Sequence, residues 1–288
     1  MKNLLLLNGV KKGRITVPPK SLVIDDLGIY FDASLPSRLE VILENTQFAD
    51  SLLQEAKEIQ AALIASNVGK YNVGQQNIHL DILDIPEDKR VLLVPGQVED
   101  DASIQTGTRE IKTNLGLLQH VREQNPDTYI IYKPHPDVVS GNRVGQVSER
   151  KALQYANSIM PEADIMALIA VSVEVHTMTS LSGFEALLRG KKVFCYGIPF
   201  YAGWGLTTDL YRLENRRQRR LTLAELIAGT LLIYPEYLDT NTGKLTNANA
   251  TLDGIAKERL QLQNQRLKTN WPMRKWQQLQ GLIQAFKW

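Results

Sequence analysis

The chain has 288 residues, 43% of them hydrophobic and 22% charged, with 33 Lys and Arg against 31 Asp and Glu. That composition is globular, the length fits about two domains of roughly 150 residues, and a net charge of +2 gives no whole-molecule field that would draw nucleic acid or an anionic membrane. A single cysteine, Cys195, excludes an intrachain disulfide framework and a cysteine-rich zinc module and fits a reducing compartment, so the expected location is cytoplasmic.

Met1-Lys2-Asn3 before Leu4 to Leu7 imitates a signal peptide, but Asn8-Gly9 and Lys11-Lys12-Gly13-Arg14 cut the apolar run short. A secretory core takes about 7 to 15 apolar residues, so neither export nor a transmembrane helix is predicted, and membrane contact would be peripheral. Ser21 to Asp32 reads as a hairpin, two β-branched and aromatic strands flanking an Asp26-Leu27-Gly28 turn. From Pro36 to about Asn67, Leu39, Ile42 and Leu43, then Leu52, Leu53, Ala56, Ile59 and Leu63, recur at helical spacing and predict two amphipathic helices.

The middle of the chain alternates strand and helix. Arg90 to Val94 is a continuous apolar run stopped by Pro95-Gly96, as in a strand buried on both faces. Ile111, Leu115, Leu118 and Val121 predict a helix ended by Asn125-Pro126, and Tyr129 to Tyr132 the next strand. Ile165 to Ile169 reads as helix or strand, Val171 to Val175 as strand, Ser182 to Arg189 as helix, Lys192 to Tyr196 as strand and Leu223 to Tyr234 as helix. This order argues for an α/β fold with a parallel Rossmann-type sheet between about residues 88 and 237, whose ligands would sit beyond the carboxyl ends of the strands. After Asp239 the composition turns to polar helix formers, and Trp276, Leu279, Ile283 and Phe286 share one helical face, suited to docking on the body or to a membrane surface.

Four loops at the strand ends are unusually polar. Gln97-Val98-Glu99-Asp100-Asp101 carries three consecutive carboxylates, a nucleophile, base or metal ligand if the loop is dehydrated and an acidic helix cap if it is not. Lys133-Pro134-His135-Pro136 presents a cation and an imidazole on a stiff turn, an arrangement for an anion. His176 to Glu185 opens a helix with Ser180, Ser182 and Gly183, where backbone N–H groups suit phosphate and Glu185 suits ribose hydroxyls. Gly197 to Gly205 combines glycines with Phe200, Tyr201 and Trp204, whose rings suit a sugar or base, or the packing of a long loop. Nucleotide plus sugar is the natural ligand of such a cleft. No phosphate loop of the Gly-x-x-x-x-Gly-Lys-Ser/Thr kind, no dinucleotide fingerprint and no metal motif is present. Arg216-Arg217-Gln218-Arg219-Arg220 reads as a solvated run, with anionic lipid or an acceptor phosphate as the alternative.

These loops, with Pro18 to Asp26, Gly28 to Asp32, Val94 to Asp101, Tyr132 to Pro136 and Tyr201 to Gly205 in order, resemble capsular polysaccharide biosynthesis proteins of the KpsC type, the retaining β-Kdo glycosyltransferases. The resemblance implies a GT-B-like transferase that takes Kdo from CMP-Kdo to a lipid-linked saccharide acceptor by double displacement through a carboxylate. It assigns Asp101 as nucleophile, with Asp100 second and Gln97 in the same motif, and it gives the donor nucleotide to Lys133, His135, Ser180, Ser182, Gly183 and Glu185. Tyr201 and Trp204 would contact sugar or base, and neither metal nor cofactor is implied.

Only about twenty residues precede the expected hairpin, so the resemblance divides the chain into a remnant of the first, acceptor lobe (1–87), a donor lobe (88–240) and a C-terminal helical segment packing back on the body (241–288). Its partners would be CMP-Kdo, the acceptor, and other capsule-synthesis proteins or a missing N-terminal lobe, at the inner face of the cell membrane, with no nucleic acid. A truncated nucleotide-binding or scaffold subunit without catalysis is the alternative.

Overall fold

The computed structural model describes residues 20–66, 85–240 and 242–268, and the basic N-terminus and the Trp276 to Phe286 face lie outside them. The N-terminal elements are β1 (Ser21–Leu22), α1 (Arg38–Asn45) and α2 (Asp50–Ser66). Then come β2 (Val91–Pro95), α3 (Ala102–Gly107), α4 (Asn114–Gln124), β3 (Tyr129–Lys133), α5 (Pro136–Val139), α6 (Glu149–Ala152) and β4 (Ser158–Ile159). The second half holds α7 (Ile165–Val171), β5 (Glu174–Thr177), α8 (Leu181–Leu188), β6 (Lys192–Cys195) and β7 (Thr208–Asp209). Last are α9 (Leu223–Ile227), continued by a π-helical stretch Ala228–Ile233, then β8 (Glu236–Leu238), β9 (Leu245–Thr246) and α10 (Ala248–Lys268). No described helix is long and apolar enough to cross a membrane.

Strands β2 to β7 form one parallel sheet in the order β4-β3-β2-β5-β6-β7. Parallel strands need helical crossovers, which cover both faces, and the two cores follow from that. Leu93, Ile131, Val175 and Val193 point into one cluster with α1, α2, α7, α8 and α9, while Leu92, Val94, Ile130 and Tyr132 point into the other with α4 and α6. The first cluster also takes in Leu252 and Ile255 of α10, so residues from all three expected segments share one core. Successive strands step from β2 outward to β4, then return to the other side of β2 at β5. The crevice between the ends of β2 and β5 is the switch point at which such sheets bind ligands.

Two expectations need correction. Residues 21–32 do not make a hairpin: Ser21 and Leu22 pair antiparallel with Tyr237 and Glu236 of β8. The Asp25 carboxylate accepts the N–H groups of Leu27, Gly28 and Arg38 and the Tyr234 hydroxyl, so the segment folds as successive turns around one side chain. The strand expected at Val171 to Val175 starts later, because Val171 ends α7 and the Ser172 hydroxyl donates back to Leu168 O, leaving Glu174 as the first paired residue.

Three of the four arginines of the run form a clamp, while Gln218 and Arg220 stay exposed. Arg216 and Arg217 grip the buried Glu40 carboxylate of α1 at 2.6 and 3.0 Å. Arg216 also donates to Ala33 O and Leu35 O, and Arg217 to Pro199 O and Ala202 O. Arg219 pairs with Glu225 and donates to Thr46 O. Burial works to raise the Glu40 pKa, but the two guanidiniums outweigh it and hold the carboxylate below its usual range.

Candidate functional site

A cleft of about 350 Å³ opens at the switch point. Its walls are the loops after β2, β3 and β5, closed on the far side by Tyr30, Phe31 and Phe200. Gln97, Asp101, Lys133, His135, Ser180, Ser182 and Glu185 all line it, so most of the residues singled out in four separate loops meet in one place.

Gln97 is a clasp. Its Oε1 accepts from Thr177 Oγ1 (3.1 Å) and from the N–H groups of Met178 (3.1 Å) and Thr179 (3.0 Å), while Nε2 donates to Thr179 Oγ1 (2.9 Å). One buried amide thereby ties the β2 loop to the β5 loop across the crevice. Asn114 at the start of α4 holds the same loop from below, accepting from Gln97 N–H at 2.8 Å and donating to Gln97 O and Gly145 O at 2.8 Å.

The three carboxylates diverge. Glu99 accepts the Asn114 N–H at 2.7 Å, Asp100 pairs with Arg143 at 3.0 Å, and Asp101 caps α3 by accepting the Ser103 N–H (3.0 Å) and hydroxyl (2.9 Å). Asp100 and Asp101 are exposed, so the dehydration that would set the three against one another is not met. Asp101 lines the cleft and Asp100 does not. Both of Asp101's hydrogen bonds fall on Oδ1, which fixes the carboxylate and leaves Oδ2 unoccupied among the described residues. Burial pushes the facing phenol, Tyr30, up to about 12, and the Asp101 charge adds to the rise, so Tyr30 stays protonated at neutral pH.

Lys133 is buried and donates to Pro161 O at 2.7 Å. Burial lowers its pKa against the pull of Glu162 and Asp164. His135 caps α5, its Nδ1 accepting the Asp137 N–H at 3.2 Å, which puts the proton of the neutral ring on Nε2. Ser180 caps α8 through the Ser182 N–H at 3.2 Å, so the N–H groups of the first turn border the cleft.

Gly183, Tyr201 and Trp204 stand elsewhere. Tyr201 and Trp204 are fully buried, outside the cleft lining, with the Tyr201 hydroxyl on Ser180 O and the Trp204 indole N–H on Phe200 O. Gly183 makes room for Tyr201 and is outside the cleft lining: a Cβ there would stand 2.7 Å from Tyr201 Cζ and closer still to its hydroxyl. Aromatics after a strand carry the same composition whether they line a cleft or pack beneath it, and here Phe200 alone of the three reaches the surface of the cleft. Sequence reasoning missed Arg143, whose loop carries no motif, Asn114 at the start of α4, and Tyr30 and Phe31, whose segment is held by bonds from Tyr234 and Arg216 far along the chain. Among the described residues no group of His, Cys, Asp and Glu is placed to hold a metal ion.

Comparisons with known proteins give the chain's relatives. The chain is 50% identical over 98% of its length to the capsule polysaccharide modification protein LipA of Neisseria meningitidis serogroup B, and spans 39% of that protein. It is 38% identical over 88% of its length to the lipopolysaccharide-processing protein LpsZ of Rhizobium meliloti, spanning 57% of it. Two solved structures of Thermosulfurimonas dismutans KpsC are similar. The beta Kdo 2,7 transferase superposes with a TM-score of 0.72 at 41% identity, covering 84% of this chain and 74% of that one. The beta Kdo 2,4 transferase gives 0.73 at 32%, covering 83% and 74%. The α/β, GT-B-like class expected from the sequence is thus the class of the fold. The family model for capsule polysaccharide biosynthesis proteins matches residues 8–237, and the chain belongs to that family.

Proposed function

We propose that the chain is the donor-binding part of a retaining Kdo transferase that uses CMP-Kdo in capsule polysaccharide synthesis. The observation that carries the proposal is the convergence, in one cleft at the switch point, of the Asp101 carboxylate with His135 and the first turn of α8. The N–H groups of α8 and His135 Nε2 would receive the cytidylate phosphate and stabilise its charge as it leaves. Glu185, buried in the cleft wall, would take the ribose hydroxyls.

In the first displacement Asp101 Oδ2 bonds to the anomeric carbon while the bond to the phosphate oxygen breaks and CMP leaves with the electron pair. In the second, an acceptor hydroxyl bonds to the same carbon, gives up its proton to water or a neighbouring carboxylate, and returns the electron pair to Asp101. Two inversions give retention. Gln97 is a positioning residue in this scheme, because its amide holds the nucleophile's loop against the phosphate loop.

The acceptor would be a lipid-linked saccharide met at the inner membrane face. A second reading is a nucleotide-binding subunit that turns over only when completed by a partner lobe. Calorimetric titration with CMP, using UMP as the control, tests the common part. Selective CMP binding lost in His135→Ala supports the donor reading, and a folded chain that binds neither nucleotide sinks it. Release of CMP from CMP-Kdo that disappears in Asp101→Asn separates the enzyme from the subunit.

A further inference from the structure

We propose that Arg143 receives the carboxylate of an acidic sugar and so sets the cleft's preference for ulosonic acids over neutral sugars, an inference that rests on the donor reading above. A donor of this class brings two anionic groups, the phosphodiester and the carboxylate next to the anomeric carbon, and the cleft must meet both. The first turn of α8 and His135 meet the phosphate. Of the two permanent cations among the described residues that line the cleft, Lys133 is buried with its ammonium on Pro161 O, leaving Arg143 for the second anion.

Arg143 is held in the right place by bonds it does not make itself. Its loop is tethered to the nucleophile's loop by Glu99 N–H on Val144 O at 3.0 Å and by Asn114 Nδ2 on Gly145 O at 2.8 Å. Gly145 has φ of +128°, and a Cβ there would stand 2.8 Å from Gln97 O, so only glycine lets the two loops meet this closely. The guanidinium thereby meets Asp100, the residue next to Asp101 in the chain, and Arg143 lines the same cleft as Asp101, where the anomeric carbon must lie if Asp101 attacks it.

Its present partner is a placeholder. Nη2 and Nε both address a single oxygen, Asp100 Oδ1, at 3.0 and 3.3 Å. The side chains are 40% and 52% exposed, so water screens the pair and it adds little stability. A ligand carboxylate offers the same two N–H groups two oxygens in the parallel geometry that a planar guanidinium matches and a lysine does not. Exchange of Asp100 for the ligand therefore costs little and gains a bidentate pair.

The test measures binding of CMP, CMP-Kdo and the C1 carboxamide of CMP-Kdo to the chain and to its Arg143→Ala, Arg143→Lys and Asp100→Asn variants. The wild-type chain is expected to prefer the carboxylate over the carboxamide by about tenfold or more. Arg143→Ala loses that preference with CMP affinity unchanged, Arg143→Lys restores part of it, and Asp100→Asn tightens CMP-Kdo by about two- to fivefold. A wild-type chain that binds CMP yet takes acid and amide alike, or an Arg143→Ala chain that keeps the preference, overturns the assignment. Failure to bind CMP overturns the donor reading itself, and is told apart because CMP has no sugar carboxylate for Arg143 to meet.

Discussion

Gly183 poses a contest between two effects of opposite sign. It lies inside α8, where alanine is favoured over glycine by about 0.8–1.0 kcal/mol, so propensity predicts that Gly183→Ala stabilises the protein. The structure predicts the reverse. The new methyl would stand 2.7 Å from Tyr201 Cζ, well inside contact distance, and Tyr201 is fully buried among Phe184, Phe200 and the core beneath. Forcing a methyl into a packed interior costs about 1–3 kcal/mol. Displacing the ring also removes its hydroxyl from Ser180 O, and a buried group left without a partner costs about 1–3 kcal/mol more. The net expectation is a loss of about 3 kcal/mol after the propensity gain is subtracted. Urea unfolding gives the number through the midpoint at constant slope. Tyr201→Phe removes the atom that is struck first, so the double variant should fall short of the sum of the two single losses by about 1 kcal/mol. A Gly183→Ala protein as stable as its parent, or strict additivity of the pair, would refute the packing role and return Gly183 to the ligand.

Glu40→Gln leaves Arg216 and Arg217 without their anion and should cost about 3–5 kcal/mol, read by the same unfolding assay. Because that carboxylate's pKa is lowered in the folded state, its stabilisation is present at neutral pH and is lost as pH falls toward the folded value. Asn114→Ala strands Gln97 N–H, Gln97 O and Gly145 O at a buried position, for an expected loss of about 2–4 kcal/mol and weaker CMP binding. His176 is buried against Phe194 and Tyr196 with its pKa lowered to about 4, chiefly by burial and against the pull of Glu174. The unfolded chain takes up that proton near pH 6.5, so stability should fall as pH drops from about 6.5 to 4, by about 2 kcal/mol at pH 5. A His176→Gln protein with the same pH dependence would contradict this.

Much of the sheet was legible because a strand buried on both faces has no polar alternation to obscure it. Val91 to Val94 and Tyr129 to Tyr132 read directly in this way, Lys192 to Cys195 read from its strand formers although one of its faces is partly exposed, and the paired spacing of Leu39 with Leu43 and of Ala56 with Ile59 and Leu63 marked α1 and α2. The edge strands β4 and β7, two residues each, offer too little sequence to see. The hairpin misreading has a different cause: strand propensity at Ser21 and Leu22 was real, but the pairing partner lay at 236–237. The arginine run failed for the same reason, since nothing near it announces that Glu40 will be buried beside it. At the site, position at the strand ends marked Asp101, Lys133, His135 and Ser180 as cleft residues, while their structural uses, three as helix caps and Lys133 on Pro161 O, needed the fold to appear. The separation of Phe200 from Tyr201 and Trp204 was invisible, since it depends on which side of one loop faces the core.

The pairing of β1 with β8 also dictates an order of assembly. The parallel sheet is built from strands that leave the ribosome in one stretch, 91 to 209, so its crossovers can close as the chain grows. The elements before the sheet wait for those after it, since β1 finds its neighbour only at 236–237 and α2 packs on α9 and the π-helical stretch that follows it. Leu39, Leu43, Ile59 and Leu63 therefore gain part of their cover only when α9 and the π-helical stretch are in place, and apolar surface that waits on distant partners is a liability for aggregation. The pairing of β8 with β1 and the Tyr234 hydroxyl on Asp25 thus join the segment that carries the aromatic wall of the cleft to a stretch more than two hundred residues away.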